Sequence, residues 1–289
     1  MIITLTLNPA YDVHGMLDGF APERENLVLK TTRQIGGKGI NTSRALTENG
    51  IENRAVVCLG KENAEPFLTE LQRLLPHCRT YLLDGRIREN ITLHPKDQKE
   101  TRISFCGFTC SEDIFLKVET DISPSDILVF SGSLPPGISP AVAEAFLLRQ
   151  KTRGVRLTVD SKSVSPQALR RIRPWLIKPN TEEAEALFGP RCNWEEAALA
   201  LNREGVENIL VSLGEEGAFL VTDGQVFHQK APKITPLSTV GAGDSMIAGF
   251  LACNGTPQER LKTAVAYGSA ACLTEGTAPP DPATIQPFL

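Results

Sequence analysis

Residues 127–160 have the sequence ILVFSGSLPPGISPAVAEAFLLRQKTRGVRLTVD, and this stretch decides the fold. It opens with a short apolar run over 127–130, continues with a helix-patterned segment over 140–152, and closes with a second apolar run over 157–159. Short apolar runs bounded by Gly, Pro or Asp are typical of strands that are buried on both faces. The stretch therefore predicts a strand, a helix and a second strand of an α/β protein.

The same alternation extends through the rest of the chain. Further apolar runs that predict strands lie at 55–57, 176–177 and 209–212. Further helices are predicted over 38–49, 64–75, 181–188, 194–204, 242–253 and 257–273. No repeat, low-complexity tract or linker interrupts the pattern. We therefore expect one domain over 1–289, a three-layer doubly wound α/β fold with a mostly parallel sheet and helices on both faces.

Two stretches, near 11–34 and near 80–106, are predicted to be extended instead of helical. At 91–94 and 103–105 the apolar residues fall on alternate positions, as on a sheet with one solvated face. We expect these insertions to form a small antiparallel sheet that projects from the main one and covers a site as a lid. The alternative is a surface hairpin without function.

Composition excludes several classes of protein. The 289 residues are 41% hydrophobic and 22% charged, a globular balance. Thirty Lys and Arg against thirty-four Asp and Glu give a net charge of −4, so there is no general basic field for nucleic acid. No uninterrupted apolar run is long enough to span a bilayer, and the N-terminus has no basic leader, which predicts a cytoplasmic protein without a membrane partner.

Cysteine and histidine usage indicates no metal centre. The seven cysteines are scattered and include no CxxC pair, which argues against a disulfide framework or a zinc ribbon. The four histidines are equally dispersed, and none lies in an HExxH arrangement. We expect ordinary thiols in a reducing compartment and assign no histidine a catalytic role.

The chemistry is predicted to centre on residues 238–245, STVGAGDS, which precede an apolar-striped helix. Gly241, Ala242 and Gly243 lack bulk, so a phosphate can approach their N–H groups while the positive end of the helix faces it. Asp244 in the first turn could simply cap the helix. A capping carboxylate would, however, repel the anion that these amides attract, whereas a general base would face the attacking hydroxyl. We therefore predict that Asp244 is a base beside a phosphate site.

A second glycine cluster, Gly36-Gly37-Lys38-Gly39-Ile40-Asn41, precedes a helix near the start of the chain. It is not a Walker loop, because Lys38 is followed by glycine, and it is not a dinucleotide fingerprint, because residue 42 is threonine. Close backbone approach at Gly36 and Gly37, a cation at Lys38 and an amide at Asn41 suit a hydroxylated, phosphorylated ligand.

Together the two loops resemble the signatures of the ribokinase-like carbohydrate kinases. Four other segments fit that family in order, namely TLNPAYD at 6–12, SGSLP at 131–135, KPNTEE at 178–183 and VSLGEEGA at 211–218. The resemblance covers essentially the whole chain. TLNPAYD combined with GGKGIN is similar to the phosphofructokinase-B branch, which acts on hexose monophosphates. The pattern is nearest to the kinases of fructose 1-phosphate, with those of tagatose 6-phosphate next.

The resemblance also implies which residues hold the sugar phosphate. Its hydroxyls would bond to Asp12, Gly37 and Asn41. Its phosphate would lie between two cations, Lys38 and Arg88, with neutral donors at Asn90 and Ser131. Arg86 could take the place of Arg88, and the sequence does not decide between them.

On the nucleotide side, the resemblance implies ATP contacts at Ser212, Gly214, Gly217, Lys178 and the 241–244 loop. Asn180 and Glu183 would hold hydrated Mg²⁺ through water, since Mg²⁺ gives up its shell reluctantly. The same two residues also match a capping box, and the two roles are compatible. The sequence does not indicate whether K⁺ binds beside Asp244.

These residues predict an ATP-dependent transfer to a primary hydroxyl of a hexose monophosphate. The expected reaction converts fructose 1-phosphate to fructose 1,6-bisphosphate with Asp244 as general base, and tagatose 6-phosphate is the alternative substrate. A nucleoside or plain sugar kinase would lack the phosphate-binding cations. A non-catalytic sugar-phosphate sensor would not need Asp244. We also expect a homodimer through the lid sheet, whose edge is exposed.

Overall fold

The computed structural model describes residues 1–190 and 192–289. In that part of the chain the main sheet has nine strands, whose spatial order is Gln225–Gln229 (β13), Ala218–Thr222 (β12), Asn208–Ser212 (β11), Leu176–Ile177 (β10), Arg156–Asp160 (β9), Ile127–Ser131 (β8), Ile2–Thr6 (β1), Asn53–Gly60 (β4) and Arg79–Leu83 (β5). The strands from β11 to β5 pair in parallel, and β12 and β13 add an antiparallel edge. The predicted mostly parallel α/β sheet is confirmed.

Helices cover both faces of this sheet. They are Lys38–Glu48 (α1), Ala64–Leu74 (α2), Ile114–Glu119 (α3), Pro140–Thr152 (α4), Pro166–Ile172 (α5), Thr181–Phe188 (α6), Trp194–Arg203 (α7), Ala242–Ala252 (α8), Pro257–Ala271 (α9) and Pro282–Ile285 (α10). Two short 3₁₀ helices lie at Gly214–Glu216 and Gln286–Phe288. All seven predicted helices are present. None of the helices in the described ranges is long and apolar enough to cross a membrane.

Alternate residues of each central strand feed two separate cores. In β8, Leu128 and Phe130 point to the core that contains α4 and α5, while Val129 points to the core beneath α8 and α9. The period-2 alternation of a strand produces this division. It explains why the central strands are largely apolar on both faces and form short apolar runs in the sequence.

A second sheet has four strands, Lys30–Gly36 (β3), Ala10–Leu17 (β2), Arg88–Pro95 (β6) and Thr101–Ser104 (β7), in that spatial order. The outer pairs are antiparallel, as expected, but the central pair β2–β6 is parallel. Each hairpin comes from a separate insertion, and the first strand of each runs in the same direction. The segment Arg79–Leu83, within the predicted 80–106 insertion, is instead the edge strand of the main sheet.

Candidate functional site

A cleft of about 1560 Å³ opens at the carboxyl ends of the parallel strands. Chain order reverses between β1 and β8, because the strands after β1 extend the sheet on one side and those after β8 extend it on the other. Such switch points leave a crevice that binds ligands in open α/β sheets. The cleft continues beneath the second sheet, which contributes Asp12, Asn90 and Arg102 to its lining.

Asp244 lies in the first turn of α8, and its residue is only 6% exposed. Asn41 of α1 donates a hydrogen bond from Nδ2 to Oδ2 of Asp244 at 2.8 Å, so the two glycine loops, 203 residues apart, meet at this carboxylate. Burial, followed by the neighbouring Asp160 carboxylate, raises the pKa of Asp244 to about 7 against opposition from Lys38, Asn41 and Lys178. A carboxyl group that titrates near neutrality is suited to accept a proton in catalysis.

The loop before Asp244 has the geometry of an anion site. Gly241 caps α8 with φ of 79°, in the left-handed region that favours glycine. In the described ranges the N–H groups of Gly241 and Gly243 have no backbone acceptor, and that of Ala242 makes only a 3.4 Å contact to Thr239. These amides lie at the positive end of the helix, where an anion is stabilised.

Lys178 supplies a cation to the same place. It follows β10, is 4% exposed, and its Nζ lies 2.9 Å from where a Cβ on Gly243 would be. The ammonium also lies 3.9 Å from Oδ1 of Asp160. A buried cation therefore stands beside the free amides of the loop, where it can neutralise a bound phosphate.

Asp160 is a site residue that sequence reasoning missed. It ends β9 with its side chain 2% exposed, between Lys178 and Lys38. The Nζ of Lys38 lies 3.1 Å from Oδ2 of Asp160. Its signal was present in the sequence, because it follows the apolar run 157–159 and the carboxyl ends of such strands build the site.

Lys38 at the start of α1 lies among carboxylates. Its ammonium contacts Asp160 and stands 3.8 Å from Oε1 of Glu183. Burial by itself would lower the pKa of Lys38, but the carboxylates of Asp160, Asp244 and Glu183 outweigh it and raise that pKa. These contacts place the ammonium beside Asp244. Sharing of the substrate phosphate with Arg88 stays a prediction.

Asn180 and Glu183 form the capping box that their spacing predicts. Asn180 Oδ1 accepts from the N–H of Glu183 at 2.8 Å, and Glu183 Oε2 accepts from the N–H of Asn180 at 3.1 Å. Glu183 Oε1 remains directed at Lys38. In the described residues no three acidic, histidine or cysteine side chains converge as a metal site. One carboxylate and one amide do suit Mg²⁺ held largely by water and substrate phosphates.

The far end of the cleft, beneath the second sheet, is built around Asp12. Asn90 donates to Oδ1 of Asp12 at 2.9 Å, which aligns the carboxylate across β2 and β6. A Cβ on Gly36 would lie 1.9 Å from Oδ2 of Asp12, so the carboxylate can occupy this position only beside a glycine. Gly37 has φ of 149° and lines the cleft. Asp12, Gly37 and Asn41, predicted to bind hydroxyls, thus border one continuous cleft.

The structure separates the two candidate arginines. Arg88 lines the cleft. Burial lowers the pKa of its guanidinium, and the nearby carboxylate of Asp12 opposes that shift. Arg86 is exposed and pairs through its backbone with Lys61 outside the cleft. Arg102 of β7, in the second sheet, adds another cation to the lining, one that the sequence did not single out.

Unpaired polar atoms concentrate in this end of the cleft. Five cleft-lining residues carry a buried polar atom without a hydrogen-bond partner in the described ranges, namely Thr6 Oγ1, Asn8 Oδ1, Asn41 Oδ1, Arg88 Nε and Ser131 Oγ. Buried polar groups are normally paired, so such a cluster indicates a polar ligand or water.

The opposite end of the cleft is more apolar. Ser212, Gly214 and Gly217, which are predicted to contact ATP, line the cleft here. Gly217 also has a structural reason, since a Cβ there would lie 2.0 Å from the carbonyl oxygen of Gln229. Residues that the sequence did not indicate complete the wall, namely Ala231, Pro232, Ile234, Pro236, Val265 and Cys272. An apolar wall with few polar groups suits a flat heterocycle.

Comparison with known proteins gives consistent matches. The model of the pfkB family carbohydrate kinases matches residues 5–284. The 1-phosphofructokinase of Escherichia coli (strain K12) is 36% identical over 262 residues, which cover 86% of this chain and 83% of the relative. The tagatose-6-phosphate kinase of Staphylococcus epidermidis is 30% identical over 291 residues, which cover 96% of this chain and 94% of the relative.

Solved structures of similar fold belong to carbohydrate kinases as well. Phosphofructokinase-2 from Escherichia coli, in complex with potassium, has a TM-score of 0.89 and 30% identity over 99% of this chain and 97% of its own. The same enzyme was also solved in a tetrameric inhibited form. Ribokinase from Thermotoga maritima, at 22% identity over 100% of this chain and 99% of its own, has a TM-score of 0.84 and shows the fold alone.

Proposed function

Because the chain belongs to the pfkB family of carbohydrate kinases and is a sugar-phosphate kinase, we propose that it transfers the γ-phosphoryl group of ATP to the C6 hydroxyl of fructose 1-phosphate. The observation that carries the proposal is the position of the buried Asp244 carboxylate next to the N–H groups of Gly241 and Gly243, which have no backbone acceptor in the described ranges. The relatives named 1-phosphofructokinase support the choice of sugar.

In the proposed mechanism, Asp244 accepts the proton of the attacking hydroxyl as that oxygen forms its bond to the γ-phosphorus and the bond to ADP breaks. The N–H groups of Gly241, Ala242 and Gly243 and the ammonium of Lys178 stabilise the charge that develops. Mg²⁺, held through water by Asn180 and Glu183, would neutralise the nucleotide phosphates when bound. The second sheet would cover the acceptor and exclude water as a competing nucleophile.

The sugar phosphate is proposed to lie beneath the second sheet. The Asp12 carboxylate and Oδ1 of Asn41 would accept hydrogen bonds from its hydroxyls. Arg88 would hold its resident phosphate by a bidentate pair, with Arg102 nearby. Asn90 and Ser131 would be neutral donors. These phosphate-binding cations argue against a nucleoside or plain sugar kinase. A sensor without catalysis would not require the buried base.

A substrate panel tests the proposal. At saturating ATP, kcat/KM for fructose 1-phosphate should exceed that for tagatose 6-phosphate and fructose 6-phosphate by about tenfold or more, since a correctly oriented hydroxyl contributes roughly that much. Coupled ADP release provides the measurement. A higher kcat/KM for tagatose 6-phosphate would establish the alternative substrate, and no ADP release with any sugar phosphate would exclude the kinase activity.

Replacing Lys38 with alanine separates its two candidate positions. If its ammonium holds the substrate phosphate, the KM for the sugar phosphate should rise about tenfold or more while the KM for ATP stays unchanged, because one charge-assisted contact is lost. Initial rates with each substrate varied at saturation of the other give both constants. A raised KM for ATP with an unchanged KM for the sugar would place Lys38 at the transferred phosphoryl group.

The pH dependence reports on Asp244. Because this base must be ionised and burial raises its pKa to about 7, kcat/KM should rise with pH through that value and then level off. Asp160→Asn removes one cause of the raised pKa, so the acidic limb should move to lower pH. It should remain above the ordinary carboxyl range, because burial is the larger cause. A limb that does not move would exclude this electrostatic coupling.

We also propose a homodimer through the second sheet, because its strands and the connection between β2 and β3 expose large apolar side chains, namely Met16, Leu27, Leu29 and Ile103. The tetrameric form of phosphofructokinase-2 is consistent with association in the family. Sedimentation of the wild type and of Leu27→Lys tests it.

We further propose K⁺ as an accessory ion, to be checked by replacing K⁺ with tetramethylammonium in the ADP-release assay.

A further inference from the structure

A second cavity of about 430 Å³ lies outside the catalytic cleft and shares no lining residue with it. It is bounded by β3 of the second sheet and by helices α1 and α2 of the main domain. Its volume falls in the range of sites that hold a small metabolite. The cavity thus lies where the base of the second sheet meets the body of the protein.

Positive charge predominates in this cavity. Three arginines line it, Arg33, Arg44 and Arg73, against one glutamate, Glu70. Glu70 is engaged with Arg73 through two hydrogen bonds of 3.0 and 2.7 Å. Arg33 stacks on the ring of Tyr11 with its Cζ 3.5 Å from the centroid, and it contacts Glu89 at 3.2 Å on the exposed side.

Arg44 is the unusual member of the three. It is partly buried on α1, and among the described residues no carboxylate lies within 4.0 Å of it. One guanidinium nitrogen donates to the carbonyl and hydroxyl oxygens of Thr277 at 3.2 and 3.4 Å, while its buried Nε has no acceptor in the described ranges. Burial lowers the pKa of Arg44 and Arg73 adds to that effect, against the opposing charges of Glu70 and Glu48. An anion that binds a partly buried guanidinium without a carboxylate partner is stabilised more than one that binds an exposed guanidinium, because water screens the charge less.

We propose that this arginine cavity is a second ligand site, which takes a small phosphorylated metabolite with its phosphate between Arg44 and Arg73. Planar guanidinium groups match phosphate oxygens in bidentate geometry. The apolar edges of Pro66 and Leu74 would contact the carbon skeleton.

The position of the cavity couples it to the catalytic cleft. Thr277, the acceptor for Arg44, lines the cleft, and its Cα lies 3.8 Å from where a Cβ on Gly241 would be. Arg44 also follows Asn41 by one helical turn. An anion that draws Arg44 from Thr277 would therefore act on both glycine loops, and linkage requires the sugar phosphate to affect the anion in return.

Isothermal titration of the full chain with 3-phosphoglycerate, a phosphorylated three-carbon carboxylate, tests the site without relying on kinase activity. We expect one equivalent to bind, with affinity lowered about tenfold or more in Arg44→Gln and in Arg73→Ala. Arg73 is exposed, so its variant should fold even if the Arg44 variant does not. Arg171→Ala is the matched control, since Arg171 makes a similar two-bond pair with Glu144 elsewhere on the surface, and it should bind as the wild type does.

Arg88→Ala distinguishes the cavity from the catalytic cleft and should also leave the affinity unchanged. Loss of binding in Arg88→Ala with retention in Arg73→Ala would place the probe in the cleft and overturn the proposal. No binding at about 10 mM probe, far weaker than a metabolite site requires, or equal binding in all variants would overturn it as well. The KM for the sugar phosphate should change when the probe is added to the wild type, and an unchanged KM would exclude the coupling.

Discussion

Replacing Asp244 with alanine is expected to lower kcat about 10²- to 10⁴-fold, the range in which general bases contribute. In the proposed mechanism this carboxylate accepts the hydroxyl proton, because it lies at the start of α8 and is held by the Nδ2 of Asn41. The KM for ATP should change little, because the amides and Lys178 remain. Steady-state ADP release with each substrate varied measures both constants.

Asp244→Asn is the control for folding. The raised pKa means that the folded state binds the Asp244 proton more tightly than the unfolded state does, so this group's stabilisation is lost as pH rises through about 7. The neutral amide removes that loss, so Asp244→Asn should unfold at the same or a higher temperature than the wild type at pH values above 7. An alanine or asparagine variant with wild-type kcat would exclude Asp244 as the base.

Replacing Lys178 with methionine should lower kcat about 10²- to 10³-fold, the typical cost of removing one preorganised charge or donor from a reaction centre. Methionine retains much of the lysine volume, so the change chiefly removes the ammonium beside Gly243 and Asp160. Lys178 also lowers the pKa of Asp244. Its loss should therefore move the acidic limb of the kcat/KM profile to higher pH, opposite to the shift expected for Asp160→Asn.

Lys162→Met provides the matched control for Lys178. Lys162 also lines the cleft but is exposed and pairs with Glu182 at 2.9 Å, where water screens the charge. Its variant should retain kcat within about twofold, since an exposed pair contributes little. Equal losses in the two variants would indicate a general effect of cleft charge, and an unchanged kcat in Lys178→Met would remove Lys178 from the mechanism.

Much of the fold follows from patterns within short segments. Four of the seven predicted helices, α4, α6, α7 and α9, begin at a side-chain cap that lies within the same short segment, such as Thr256 with Glu259 at the start of α9. The β12–β13 hairpin was not predicted, although Asp223-Gly224 between apolar strands is a strong two-residue turn signal and both residues have positive φ. The parallel β2–β6 pairing could not be inferred, because it joins insertions separated by 78 positions.

The candidate site likewise has features that a short segment contains and features that depend on distant segments. The local motifs are Asp244, the 241–243 loop and the Asn180–Glu183 capping box. Their residue types and spacing predict their chemistry. Arg88 and Arg86 are two residues apart in sequence, but in the structure Arg88 lines the cleft, whereas Arg86 forms an isolated bridge with Lys61 outside it. Lys38 has no acidic neighbour in sequence. The carboxylate that contacts its ammonium in the structure belongs to Asp160, which is 122 positions away along the chain.

The sequence by itself therefore determined the layered α/β fold, the two glycine loops and the candidate for the base, since each depends on backbone propensity, periodicity or side-chain type within one segment. Tertiary structure alone decided the environment of that base: the carboxylate of Asp160, the ammonium of Lys178 and the removal of water from Asp244. Electrostatic potential at a buried atom is a sum over charges that are close in space, and folding brings those charges together from distant parts of the chain.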